Sequence, residues 1–204
     1  MIKINLEKTG YLKINENYFD LNLEVLNEFE DIFEKYSSAW KNTSVINKLG
    51  IIQDYKILNS IHNKIIKLIK FNSLEDKVVF DDIWFSKTQK SSYKSGELPN
   101  IPHIDKIRKF KIMIYLNDVN SDNGPLFLTK CNVNAYENLR INLKKNHKEN
   151  LDNQIKDIPI SEYLPMTGKF GASIFFDTNT PHFAGPFSED FTKRKIIRFN
   201  FRYT

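Results

Sequence analysis

The chain has 204 residues, 41% of them hydrophobic and 13% aromatic, which is enough apolar mass for a sizeable core in one domain. Its net charge of +5 arises from basic and acidic side chains scattered among one another, so it describes solvated faces and argues against a nucleic-acid partner. No apolar run approaches the ~20 residues that span a bilayer, no N-terminal stretch has the build of a secretory signal, and the single cysteine, Cys131, excludes an intrachain disulfide; a cytoplasmic protein without a membrane partner is expected, with Cys131 a packing residue.

A short strand is predicted near Tyr11 to Ile14. From Leu21 through Tyr36, Leu23, Leu26, Phe29, Phe33 and Tyr36 recur at steps of three and four with acidic residues between them, which predicts an amphipathic helix. A second helix is predicted from Asp54 to Lys70, with Ile57, Leu58, Ile61, Ile65, Leu68 and Ile69 as its apolar stripe. Beyond Lys77 the texture changes to short β-branched and aromatic runs at 78–80, 83–85, 110–116, 126–128, 172–176 and 196–203, separated by turn residues. Strands of this kind argue for a sandwich or barrel and against a βαβ sheet. The polar stretch from Asn132 to Tyr163, helical around 136–151, reads as an insertion between strands, and the Ser91 to Asn100 segment reads as a loop; both are placed to act as lids. The expected organisation is one domain over 1–204, mostly helical over 1–76, with a β core over 77–204 that carries the 132–163 insertion.

His103 and Asp105 stand two residues apart in Ile101-Pro102-His103-Ile104-Asp105, so on extended backbone both can face one metal. Such a pair is weak evidence alone, since about 0.5 His-x-acid pairs are expected by chance in a chain with 4 His and 25 acids. What strengthens it is order: His182 follows the Gly-bounded strand Gly171 to Asp177, and Arg194 opens the last strand twelve residues later. Two imidazoles and one carboxylate on one face of a metal leave the opposite face open, the arrangement that non-haem Fe(II) oxygenases use. His62 on the second helix and His147 in the insertion read as helix-face or surface residues.

From about Trp84 to the C-terminus the chain resembles the Fe(II)/2-oxoglutarate-dependent dioxygenase superfamily, and within it the phytanoyl-CoA dioxygenase-like branch. The resemblance is carried by His103-x-Asp105, the strand Ile112 to Asp118 leading to Asn123-Gly124-Pro125-Leu126, the strand Gly171 to Asp177, His182 and the basic residue after it. It implies a mainly β fold, a double-stranded β-helix of the jelly-roll or cupin-like kind, with N-terminal α-helices packed on one sheet. It also implies that His103, Asp105 and His182 bind Fe(II), and that Arg194 pairs with the distal carboxylate of 2-oxoglutarate. Arg198 is the runner-up, because 194, 196, 198 and 200 share one strand face. Tyr115, Lys87 and Gln89 follow as further cosubstrate contacts, while Trp84 and Phe85 read as core.

The implied reaction consumes O2 and 2-oxoglutarate, releases succinate and CO2, and hydroxylates a small-molecule substrate. Related halogenases carry a small residue where Asp105 stands, which favours hydroxylation here. The branch usually runs from Asn-Gly-Pro-Leu into a strand ending Gly-Ser-His, whereas Leu126-Phe127-Leu128 leads into Thr129-Lys130-Cys131-Asn132, and this lends no support to an acyl-CoA substrate. Two other readings of the residues stay open: a cupin-like metal enzyme without 2-oxoglutarate, and a non-catalytic jelly-roll binding protein.

Overall fold

The first apolar stripe forms α1 (Glu24–Lys35), which buries Val25, Phe29 and Ile32. A computed structural model describes residues 4, 6–36, 43–46, 49–74, 76–90, 95–145, 154–188 and 193–204, and the fold, with its counts and pairings, is that of these residues. The second stripe forms α3 (Lys56–Phe71), and a short helix that the pattern does not predict, α2 (Leu49–Gln53), precedes it. The break between them comes at Tyr55, whose backbone is extended and whose hydroxyl donates to Asp31 at 2.7 Å. Glu28 of α1 then accepts the amides of Ile57 and Leu58 at 2.8 and 3.0 Å, supplying acceptors for amides in the first turn of α3 that have no partner within the helix.

Nine strands follow the chain: β1 (Tyr11–Ile14), β2 (Thr43–Ile46), β3 (Val78–Gln89), β4 (Lys109–Tyr115), β5 (Leu126–Leu128), β6 (Leu164–Met166), β7 (Ser173–Asp177), β8 (His182–Ala184) and β9 (Lys193–Tyr203). The runs at 78–80 and 83–85 are one strand, its register shifted between Phe80 and Asp82 by an irregularity that the sequence pattern reads as a gap. Three strands carry no clear sequence signal: β2, β6 and β8 are three or four residues long, too short for alternation to show. All the pairings are antiparallel. They build a six-stranded sheet in the order β1-β7-β4-β9-β3-β2 and a three-stranded sheet in the order β6-β5-β8. This mainly β architecture is consistent with a jelly roll.

The larger sheet has two distinct faces because side chains alternate along each strand. Ile112 and Ile114 of β4, Phe175 of β7, Ile197 and Phe199 of β9 and Phe85 of β3 join the buried residues of α1 and α3 in one apolar cluster. Met113, Tyr115, Ile174, Phe176 and Ile196 point the other way and pack with Leu126 and Leu128 of β5 and Met166 of β6. The second face is therefore the interior between the sheets. Within the 132–163 stretch the described α-helix is α4 (Glu137–Lys145), which lies in sequence between β5 and β6; residues 146–153, His147 among them, fall outside the described residues. No described helix is long and apolar enough to cross a membrane.

Candidate metal centre

His103 sits just before β4 on backbone bridged to both Gln154 and His182, and its amide donates to the His182 carbonyl at 3.0 Å while the His182 amide returns the bond at 2.9 Å. This reciprocal pair brings the two histidines together although 78 residues of chain lie between them. Asp105 is fixed by its own amide, which donates to the Thr178 carbonyl at 3.1 Å. One ligand atom from each of His103, Asp105 and His182 lies within 4.8 Å of the others. The carboxylate atom Asp105 Oδ1 is 4.0 Å from His103 Nε2 and 3.6 Å from His182 Nε2.

The remaining ring nitrogens decide what these histidines can do. His103 Nδ1 is 2.7 Å from the Ile101 carbonyl and His182 Nδ1 is 2.8 Å from the Thr180 carbonyl. A carbonyl oxygen only accepts, so each Nδ1 carries the proton and each Nε2 presents a lone pair. Burial, followed by the nearby His182, pulls His103 down to about 3, so its ring is neutral at neutral pH.

Asp105 is held from behind. Burial works against its charge, but Lys111 outweighs that and keeps the carboxyl well below the usual range. Lys111 Nζ donates to Oδ2 at 2.5 Å. Burial lowers the Lys111 ammonium to about 8, against the pull of Asp105. No motif or spacing singles out Lys111, though a signal is there: it is the one charged residue within the apolar run Phe110 to Leu116, on the parity that faces the interior.

The other sequence candidates divide between the two faces of the sheet. Arg194 and Arg198 lie on the interior face of β9, and Arg194 is 7% exposed, with Nη1 bonded to the Gly124 carbonyl and Nε buried without a partner. Tyr115 is on the same face, fully buried, its hydroxyl donating to the Met166 carbonyl at 2.5 Å; burial raises it to about 12. Lys87 does not belong with them. It occupies the opposite parity of β3, where its ammonium pairs with Glu30 of α1 and lies 4.3 Å above the Phe33 ring. Read as a single residue, it is free to face either way; on a twelve-residue strand its side is set by Phe85 two positions earlier, which points at the helices. Gln89 ends the same strand opposite Lys193, and Trp84 faces inward.

A network that the sequence pattern does not reveal supports the turn that delivers His182. Asp177, 1% exposed at the end of β7, accepts Arg108 Nε and Nη2 at 2.9 and 2.7 Å, the Tyr203 hydroxyl at 2.8 Å and the Asn179 amide at 2.8 Å. Asn179 reaches Glu137 of α4 at 2.6 Å. The insertion is thus bonded to the loops that carry His103 and His182, and Ile155 adds a backbone bond to Pro102 at 2.8 Å and packs on Ile104. In the 91–100 loop, residues 91–94 lie outside the described residues, and Pro99 accepts the Ala184 amide at 2.9 Å.

Comparison with solved structures bears on this arrangement. The non-haem α-ketoglutarate-dependent carbocyclase SnoK from nogalamycin biosynthesis aligns over 97% of this chain and 81% of its own, with a TM-score of 0.60 at 14% identity. EvdO2 from Micromonospora carbonacea var. aurantiaca, complexed with 2-oxoglutarate, aligns over 97% and 88% with a TM-score of 0.63 at 12% identity. The chain shares their fold. The epimerase SnoN, in complex with Fe3+, α-ketoglutarate and nogalamycin RO, aligns over 97% and 80% with a TM-score of 0.59 at 14% identity. No protein-family profile matches the sequence, and no curated protein matches it.

Proposed function

We propose that this chain is a non-haem Fe(II)- and 2-oxoglutarate-dependent oxygenase that hydroxylates a small molecule. The observation that carries the reading is the convergence of two Nε2 lone pairs and Asp105 Oδ1, with both Nδ1 protons and Asp105 Oδ2 already committed elsewhere. A donor set of two neutral imidazoles and one carboxylate suits Fe(II), and the residues present fit it. When bound, iron with 2-oxoglutarate and O2 supplies the oxidising power: the cosubstrate loses CO2 to become succinate, one oxygen atom entering it and the other the substrate C–H bond. The fold neighbours include a carbocyclase and an epimerase, so the cofactor set is the broader part of this reading and hydroxylation the narrower.

His103, Asp105 and His182 would hold the metal. Arg194 would receive the distal carboxylate of 2-oxoglutarate, because its guanidinium keeps donors to spare after bonding Gly124 and is enclosed in the interior where a charge-assisted fork is strong. Tyr115 closes the interior beside it. The described parts of the 91–100 loop and of the 132–163 insertion would cover the mouth of the space between the sheets and so help to exclude water from it.

Calorimetric titration of 2-oxoglutarate into Mn(II)-loaded protein tests this. Binding is expected in the wild type and is expected to be lost in His103→Ala and weakened in Arg194→Leu. Metal binding without any 2-oxoglutarate binding at millimolar concentration would favour a cupin-like enzyme instead. Succinate formation under air with Fe(II) then reports turnover.

A further inference from the structure

One cation beside the metal centre has no task in the reaction proposed above. Arg198 lies on the interior face of β9, opposite Met113 of β4 and Trp84 of β3. Its neighbours on that face are already matched: Lys111 is bonded to Asp105, and Asp82 accepts from the Asn200 amide and faces Lys109 at 3.7 Å. Arg198 makes no hydrogen bond or ion pair with any described residue, and its Nε is buried without a partner. Its guanidinium lies 4.3 Å from the Trp84 ring centroid.

A half-buried guanidinium that no carboxylate hydrogen-bonds, with Asp105 and Asp82 acting on it only through space, keeps unmet donors, and the indole face offsets only part of that. Stacking also restrains the plane of the guanidinium, so its N–H edge is pre-set for a planar, two-oxygen acceptor. The cosubstrate does not supply that acceptor. Its distal carboxylate is assigned to Arg194, four residues and about 13 Å of strand away, and its other end to the metal. Arg198 stands nearer the triad than Arg194, within electrostatic reach of Asp105.

We infer that Arg198, on its Trp84 platform, binds a carboxylate carried by the primary substrate. This rests on the reading of Arg194 as the cosubstrate's partner. It narrows the substrate to small organic acids and places the acid group on the β3 side of the metal, so that the C–H bond to be attacked lies a few bonds from it.

The test uses Mn(II)-loaded, 2-oxoglutarate-saturated protein and three probe pairs: acetate, benzoate and hippurate, each with its neutral amide. Proton line broadening by Mn(II) reports approach to the metal. At least one acid is expected to be broadened more than its amide in the wild type, with the excess lost in Arg198→Met, while 2-oxoglutarate affinity changes by less than about twofold. Loss of a fork contact to a carboxylate should cost about tenfold or more in acid binding. Arg198→Lys, which keeps the charge and serves if the methionine variant fails to fold, is expected to retain a reduced excess. Acids no broader than their amides in the wild type, or an excess unchanged by substitution, would overturn the inference. So would a tenfold loss of 2-oxoglutarate affinity in Arg198→Met with none in Arg194→Leu, which would make Arg198 the cosubstrate's residue. If the wild type binds no 2-oxoglutarate at all, the proposed function has failed, and the acid–amide comparison on Mn(II)-loaded protein alone still judges Arg198.

Discussion

Lys111 Nζ stands 2.5 Å from Asp105 Oδ2, so one oxygen of this carboxylate is tied to β4 while the other faces His103 and His182. A carboxylate held at one oxygen cannot rotate freely, and the lone pair it offers a metal is fixed in direction. Replacing Lys111 by methionine removes that tether at similar volume. Mn(II) affinity is expected to fall about tenfold, as is usual when a group orienting a metal ligand is lost. Calorimetry at fixed pH measures it; tighter binding in Lys111→Met would mean that the lysine acts chiefly by repelling the metal.

Asp177 ties together Arg108, Tyr203 and the Asn179 amide behind the turn that presents His182. Substituting it with alanine leaves Arg108 without its buried partner and frees two further donors. The expected loss is about 3 kcal/mol or more in unfolding free energy, by urea titration. Metal affinity should drop as well, because the turn from Thr178 to Pro181 also supplies the carbonyl that orients the His182 ring. A variant with full stability and full metal affinity would show the network to be incidental.

The helices and the His103-x-Asp105 pair are legible in the sequence for the same reason, a short, regular spacing, whereas His182 joins the pair only through backbone pairing over long range. The stripes of α1 and α3 repeat at three and four residues, and His103-x-Asp105 needs only an extended backbone to converge. What the sequence does not disclose is anything decided by pairing over long range. Lys87 is a plausible interior residue until its strand register against β9 turns it toward Glu30. Lys111 and Asp177 declare themselves only as charges inside apolar runs, a sign that a partner exists but not which one. The short strands β6 and β8 exist because β5 lies between them.

His62 of α3 offers a pH-dependent test remote from the metal. Its ring lies against Phe80 and Phe199, its Nε2 is buried without a partner, and burial lowers its pKa below the usual imidazole value. The unfolded chain therefore binds a proton at His62 more readily than the folded one. The stability due to the neutral ring is complete above the unfolded value of about 6.5 and is lost as pH falls below it. Unfolding midpoints in urea at pH 7.5 and pH 5.5 should differ less in His62→Leu than in the wild type. An equal drop in both would assign the pH dependence to other groups.

Gly10 links the first strand to the loop that carries His182. Its φ is +76°, and its carbonyl accepts the Asp177 amide and the Thr180 hydroxyl, both at 3.0 Å. A Cβ at this position would collide with Thr180, whose own carbonyl holds the His182 ring. Gly96, with a φ of +80° and open space for 4 Å around the place a methyl group would take, carries the same backbone constraint without the collision. Gly96→Ala should therefore cost only the left-handed backbone, about 1 kcal/mol. Gly10→Ala should cost more than that and also weaken Mn(II) binding, because the displaced Thr180 carries the carbonyl that fixes the His182 tautomer. Thermal unfolding and metal titration of the two variants side by side measure both effects; equal losses of stability with metal affinity intact in Gly10→Ala would separate the first strand from the metal site.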